Sequence, residues 1–294
     1  MWIRFRGLLG LTGWIVVLMP AAATPARADL IDFQILRGLT YSQTSNAQPT
    51  TEVSASFSVE SSSTAAGDFT AMTMSAPSGG PYTLTHISPT SQFWQYADFN
   101  ISSRAAMDAK YPLGSYKLSA TGGTSGPKSS TIAFTQPQYP TTVPFVTNFT
   151  SLQGVDTTKA FTVNWNTFLT GSFAGASPYI AFALRQVGSP NAPVNVAGLP
   201  LTTTSYALAS NTLLANTKYS VELDFISDYF DFSQTTVRNQ RFSYTTTGTF
   251  TTASSSSVPE PSMLVLFLTL GTLVGTARLC RGRSHDRAAP AWGG

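Results

Sequence analysis

The chain has 294 residues, 42% of them hydrophobic and only 11% charged. That balance excludes a disordered chain, which combines low hydrophobicity with high net charge, and the length fits about two domains. The net charge of +3 and pI near 9.0 suggest nucleic acid, but the placement of the charges excludes it. Seven of the 17 basic residues lie in the terminal segments: Arg4, Arg6, Arg27, Arg278, Arg281, Arg283 and Arg287. Residues 29–257 carry ten basic and twelve acidic residues, a net of −2. A phosphate-binding footprint needs its cations on the folded body.

Residues 1–28 read as a signal peptide. Arg4 and Arg6 supply the positive start, 7–19 form an apolar run too short to span a bilayer, and Pro20 ends it. Ala26 and Ala28 are the small residues a signal peptidase reads, so cleavage is expected before Asp29.

Residues 29–140 are expected to form a β-sandwich. Val53, Ala55, Phe57 and Val59 alternate with polar residues, the period of a half-buried strand. Further strands are expected at 69–74, 82–84, 114–120 and 130–134, with a turn at Gly79, Gly80 and Pro81. A short helix is expected within 99–110. The aromatic run 93–99 fills a core or, if exposed, stacks on sugar faces. Trp94 and Tyr96 are the rings that would touch an extracellular polysaccharide.

Residues 136–144 (QPQYPTTVP) are a proline-rich break. Residues 141–253 repeat the strand pattern, with Phe161, Val163 and Trp165 on one face, and Tyr219, Val221, Leu223 and Phe225 on another. Other strands are expected at 179–185, 205–208, 241–244 and 248–251. Short strands separated by turns favour a second sandwich. This segment resembles a fibronectin type III domain, through Trp165 and the phrase Leu214, Ala215, Asn216, Thr217, Lys218, Tyr219, Ser220, Val221. The resemblance implies a tyrosine corner at Tyr219. Pro112, Leu113, Gly114, Ser115 and Tyr116 echo that phrase in the first segment.

No catalytic residues are assigned, and no cofactor or metal. His86, the single histidine of residues 29–257, sits in a strand pattern, so no imidazole is placed to activate a serine. The one cysteine, Cys280, lies beyond a C-terminal apolar run, which rules out a disulfide framework or thiolate metal site in the body. Asp224, Asp228 and Asp231 are the one carboxylate cluster. They read as solvated loop residues or as oxygen ligands for calcium.

The C-terminal end combines a Ser-rich spacer (254–258), Pro259, Glu260 and Pro261, a charge-free apolar stretch (262–277), and Arg278, Arg281 and Arg283. Sixteen helical residues rise about 24 Å, close to a bilayer core of about 30 Å. Arginines keep the end cytoplasmic, with residues 284–294 as a cytoplasmic tail. The prolines hold Glu260 in extended chain outside the helix. This arrangement over 259–283 resembles the PEP-CTERM sorting signal of Gram-negative bacteria. The resemblance implies an inner-membrane intermediate, cleavage near Pro259, Glu260 and Pro261 by an exosortase-type transpeptidase, and delivery to the cell surface or extracellular matrix. The sequence therefore reads as an all-β, two-sandwich, non-enzymatic surface or matrix protein with a structural or adhesive role. A polysaccharide-binding module is the alternative.

Overall fold

The computed structural model describes residues 29–254, apart from 66, 89–90, 123–125 and 170–175. The signal peptide, the sorting motif Pro259–Glu260–Pro261, the apolar stretch 262–277 and Arg278, Arg281 and Arg283 lie outside the described residues. Among the described residues, no helix is long and apolar enough to cross a membrane.

The first module begins with β1 (Leu30–Ser42), which pairs antiparallel with β2 (Glu52–Ser63). β2 in turn pairs with β5 (Phe93–Ile101). The facing sheet has the order β4 (Tyr82–His86), β3 (Ala71–Ser75), β6 (Gly114–Thr121), β7 (Lys128–Phe134). Two residue pairs, Thr85↔Gln95 and His86↔Trp94, carry the chain of strands from β5 to β4. The core between the sheets includes Phe33, Ile35, Phe57, Val59, Met72, Leu118 and Phe134. Each is an alternate residue of its strand, because successive side chains of a pleated strand point to opposite faces. The helix is α1 (Arg104–Lys110), shorter than the 99–110 expected because β5 stays extended through Ile101. Ser103 caps α1, its hydroxyl accepting from the Ala106 amide at 3.2 Å, and Met107 anchors it in the core.

In the second module β8 (Phe161–Asn164) pairs with β11 (Ser205–Leu208). They face a sheet of order β10 (Val194–Leu199), β9 (Tyr179–Gln186), β12 (Lys218–Asp231), β13 (Val237–Thr251). Val163, Trp165, Phe182, Leu184, Val221, Leu223, Phe225 and Phe250 fill the space between. The Trp165 indole donates to the Thr203 carbonyl at 2.8 Å, so the buried ring leaves no donor unpaired.

Both modules carry a tyrosine corner. The buried Tyr219 hydroxyl accepts from the Leu214 amide at 2.9 Å, and the buried Tyr116 hydroxyl donates to the Pro112 carbonyl at 2.7 Å. The phrase and its echo thus fold into related devices. Each ties a ring in the core to the turn that precedes its strand.

The boundary at residue 140 does not separate the two cores. β13 pairs parallel with β1 from Asp32↔Val237 to Ser42↔Thr247, fusing the modules into one sheet of eleven strands. Phe242, near the start of β13, is fully buried in the first core, and Phe250, near its end, in the second. The two strands expected at 241–244 and 248–251 are therefore one. β12 likewise runs on to Asp231, where a loop was expected.

Candidate functional site

Side-chain amides bond to backbone at and beside the junction: Gln43 bridges the two modules, and Asn148, Asn166 and Gln153 act within the second. Gln43, buried just past β1, accepts from the Val146 amide at 2.9 Å and donates to the Val146 carbonyl at 2.7 Å. Asn148 does the same along β8, donating to the Thr162 carbonyl at 2.8 Å and accepting from the Asn164 amide at 2.9 Å. Asn166 accepts from the Phe145 amide at 2.7 Å and donates to the Val143 carbonyl at 3.1 Å. Gln153 donates to the Thr249 carbonyl at 3.0 Å, beyond the point where β1 stops covering β13. A carboxamide carries a donor and an acceptor in one plane, as a peptide group does, so it can stand in for a missing strand neighbour. A shallow groove of about 370 Å³ lies at this junction, lined by Ser42, Thr44, Gln153, Ser220 and Thr249. Its hydroxyls and amides offer hydrogen bonds but no nucleophile–base pair.

Arg37 is the most buried charge of the first module, on the core-facing side of β1 at 1% exposure. Its guanidinium pairs with Asp108 of α1 and lies 5.8 Å from the Phe134 ring centroid. Arg104, one turn earlier on α1, sits 4.9 Å over the ring of Tyr139, which stacks in parallel on Tyr244. Helix, linker, β1, β7 and β13 thus meet around two cations and three rings. The alternation of β1 leaves no signal for this, because arginine normally marks a solvent face.

The outward face of the shared sheet carries Asp224 and Asp228, while Asp231 lies with Arg238 on the face turned toward β7. Asp228 is 2% exposed and bidentate with Arg241, at 2.6 and 3.0 Å, across the β12–β13 pair Asp228↔Arg241. Asp231 pairs with Arg238 and accepts from the Ser233 amide at 2.9 Å. Asp224 lies about 13 Å along the strand from Asp228. Burial, with a further contribution from Glu222, pushes its carboxyl up to about 7, against a hydrogen bond from Thr245. Burial also raises Glu60, which accepts from Gln95 at 3.0 Å. The expected calcium set of Asp224, Asp228 and Asp231 is corrected by this geometry. Two of the three are occupied by separate arginines, and residues four and three apart on an extended strand cannot converge on one ion. Among the described residues, no group of three or more His, Cys, Asp or Glu is arranged to hold a metal.

The sugar contacts expected of Trp94 and Tyr96 are corrected as well. Trp94 is 4% exposed, with its ring 3.6 Å from the His86 imidazole centroid. Tyr96 is half-buried, packs 5.1 Å from Tyr82 and shares a 2.7 Å hydroxyl bond with Tyr111. Both point to the inner side of β5. Phe93 and Phe99 occupy exposed positions instead, at 49% and 46%. His86 belongs to the fold: Nδ1 lies 2.9 Å from the Ser91 carbonyl, closing the β4–β5 turn.

No family model matches the chain, and no curated protein matches it. Among solved structures it is similar to the FN1–FN3 domains of chicken CNTN1, with 12% identity over 76% of this chain and 65% of that one and a TM-score of 0.26. It is also similar to the I9–I11 tandem from titin, with 10% identity over 76% and 66% and a TM-score of 0.19. A third is Tp47, the 47-kilodalton lipoprotein of Treponema pallidum, with 12% identity over 72% and 51% and a TM-score of 0.23. The chain spans less than two thirds of the length of each of these. At such scores the all-β assignment rests on the strand pairing described above.

Proposed function

We propose that this chain is an exported, exosortase-sorted protein of the cell surface or extracellular matrix, with a structural or adhesive role. The observation that carries the reading is the composite tail: spacer, Pro259–Glu260–Pro261, a charge-free stretch of 262–277, then Arg278, Arg281 and Arg283. The body fits a mechanical role. One long strand serves both cores, the Gln43 amide ties the end of β1 to Val146, and Asp228 and Glu60 are engaged with arginine and amide partners rather than poised over a cleft.

The partners of this reading are a signal peptidase and an exosortase-type transpeptidase, with the inner membrane holding the intermediate through 262–277. Intact mass of the protein from its native host tests it, with and without the processing enzyme. A species from Asp29 to near Pro259 that requires the enzyme is expected. Full-length chain retaining Arg278 to the terminus in both strains would mean a plain membrane anchor.

Polysaccharide binding is the second reading, favoured by the exposure of Phe93 at the start of β5 and Phe99 farther along it. Its test is retention on matrix glycan by the parent chain and loss of retention in Phe93→Ala. Equal retention of both would remove it.

A further inference from the structure

The β12–β13 hairpin reaches beyond the module it closes. β9 pairs continuously with β12 only to Tyr179↔Ile226, with one isolated bridge beyond, Ala176↔Tyr229. The β12–β13 ladder continues for five more rows, from Ser227↔Phe242 to Asp231↔Arg238, an arm of about 17 Å. This arm fills a groove of the first module. Along one side it pairs with β1. Across the other, Arg238 Nη1 donates to the Thr131 carbonyl at 3.0 Å and Gln240 Nε2 to the Ala133 carbonyl at 3.3 Å, both on β7. Phe242 enters the core between them, 5.0 Å from the Phe134 ring.

Nothing in this seat requires the arm to come from the same chain. β1 and β13 are parallel, so no tight turn joins them. The direct connection between the modules is the irregular stretch 135–144, which contains Pro137, Pro140 and Pro144. Ten residues extended reach about 35 Å, enough to let the second module swing away from the first.

We propose that the arm and groove are also an intermolecular joint, in which the β12–β13 arm of one copy fills the β1–β7 groove of the next. The occupant is a second copy because the register, the Phe242 seat and the Arg238 and Gln240 contacts are those of this chain's own strand. Arm and groove are different surfaces of one chain, so two copies close by exchanging arms reciprocally, and longer assemblies grow where each arm fills the groove of a further copy. Within one chain the arm is present at an effective concentration on the order of millimolar. Exchange therefore gains ground where copies are crowded or fold together. The inference stands apart from the way the tail is processed.

The test uses full-length chains carrying Cys280→Ser. Thr40 and Thr245 are Cα partners across β1 and β13. A tagged Thr40→Cys copy and an untagged Thr245→Cys copy are refolded together at rising concentration and oxidised. The double variant Thr40→Cys/Thr245→Cys, at low concentration, reports the native register by closing within one chain. The expected result is a mixed, tag-shifted dimer at least about ten-fold above either homodimer near millimolar concentration, fading on dilution. The proposal is overturned if the double variant closes within the monomer at every concentration while mixed dimers never exceed the homodimers.

Discussion

Arg37 and Phe242 are partners across a parallel β-pair formed by strands from opposite ends of the folded body. The arginine is held by Asp108 over Phe134, and the phenylalanine lies against the same ring. One residue comes from the first strand and the other from the last, yet both complete the first core. The C-terminal strand is therefore a structural part of the N-terminal module.

Phe242→Ala is expected to destabilise the first core by about 3–5 kcal/mol, the range for emptying a buried phenylalanine site. Denaturant unfolding checks this, since a midpoint unchanged from the parent would place Phe242 outside the cooperative core.

Asp228→Asn is expected to cost about 2–3 kcal/mol, because it strips Arg241 of a bidentate partner on a largely buried face. The figure sits below the range for fully buried pairs because the Arg241 side chain keeps 30% exposure. Millimolar calcium is expected to leave the thermal midpoint of the parent chain unchanged. A calcium-dependent rise that disappears in Asp228→Asn would restore the metal reading.

Asp224 makes stability pH-dependent in a defined direction. Its folded pKa of about 7 lies above the unfolded value near 4, so the folded state binds the proton more tightly. The favourable contribution is present below about pH 4 and is lost as pH rises through 7. Glu60, also raised, acts with the same sign. Stability is expected to fall between about pH 4 and 7 by an amount on the order of 1–3 kcal/mol, and Asp224→Asn is expected to flatten that slope. A slope identical in parent and variant would assign the dependence to other groups.

The two tyrosine corners separate by donor. Tyr219→Phe leaves the Leu214 amide without its acceptor and is expected to cost about 1–3 kcal/mol. Tyr116→Phe leaves a carbonyl, which tolerates an unfilled lone pair better, and is expected to cost about 1 kcal/mol. Paired thermal melts of the two variants give the order.

The legible part of this fold was local. Strict alternation marked the strand around Val53 to Val59, and the Leu214–Tyr219 phrase with its echo at Pro112–Tyr116 marked both corners. β13 was not legible as one strand, because Thr245, Thr246 and Thr247 interrupt its alternation and Gly248 reads as a break. Its pairing with β1 left no trace, since parallel neighbours share no turn to set their register. The aromatic run 93–99 showed its richness but not its facing. Period two then assigns Trp94 and Tyr96 to one side and Phe93 and Phe99 to the other. Asp228 read as a loop carboxylate because its partner Arg241 lies on a different strand. The amides of Gln43, Asn148, Gln153 and Asn166 look like ordinary polar residues until the strand edges they cover are known.

Trp94 and Trp165 are the tryptophans of the two cores, one in each. Their resolved ¹⁹F resonances, in chain labelled with fluorotryptophan, follow the two modules separately through denaturant unfolding. With a shared strand, both resonances lose native intensity at one midpoint in the parent, and Phe242→Ala moves the Trp94 transition to lower denaturant. If Trp94 keeps its parental midpoint in Phe242→Ala while only Trp165 shifts, β13 belongs to the second module alone and the shared-strand account fails.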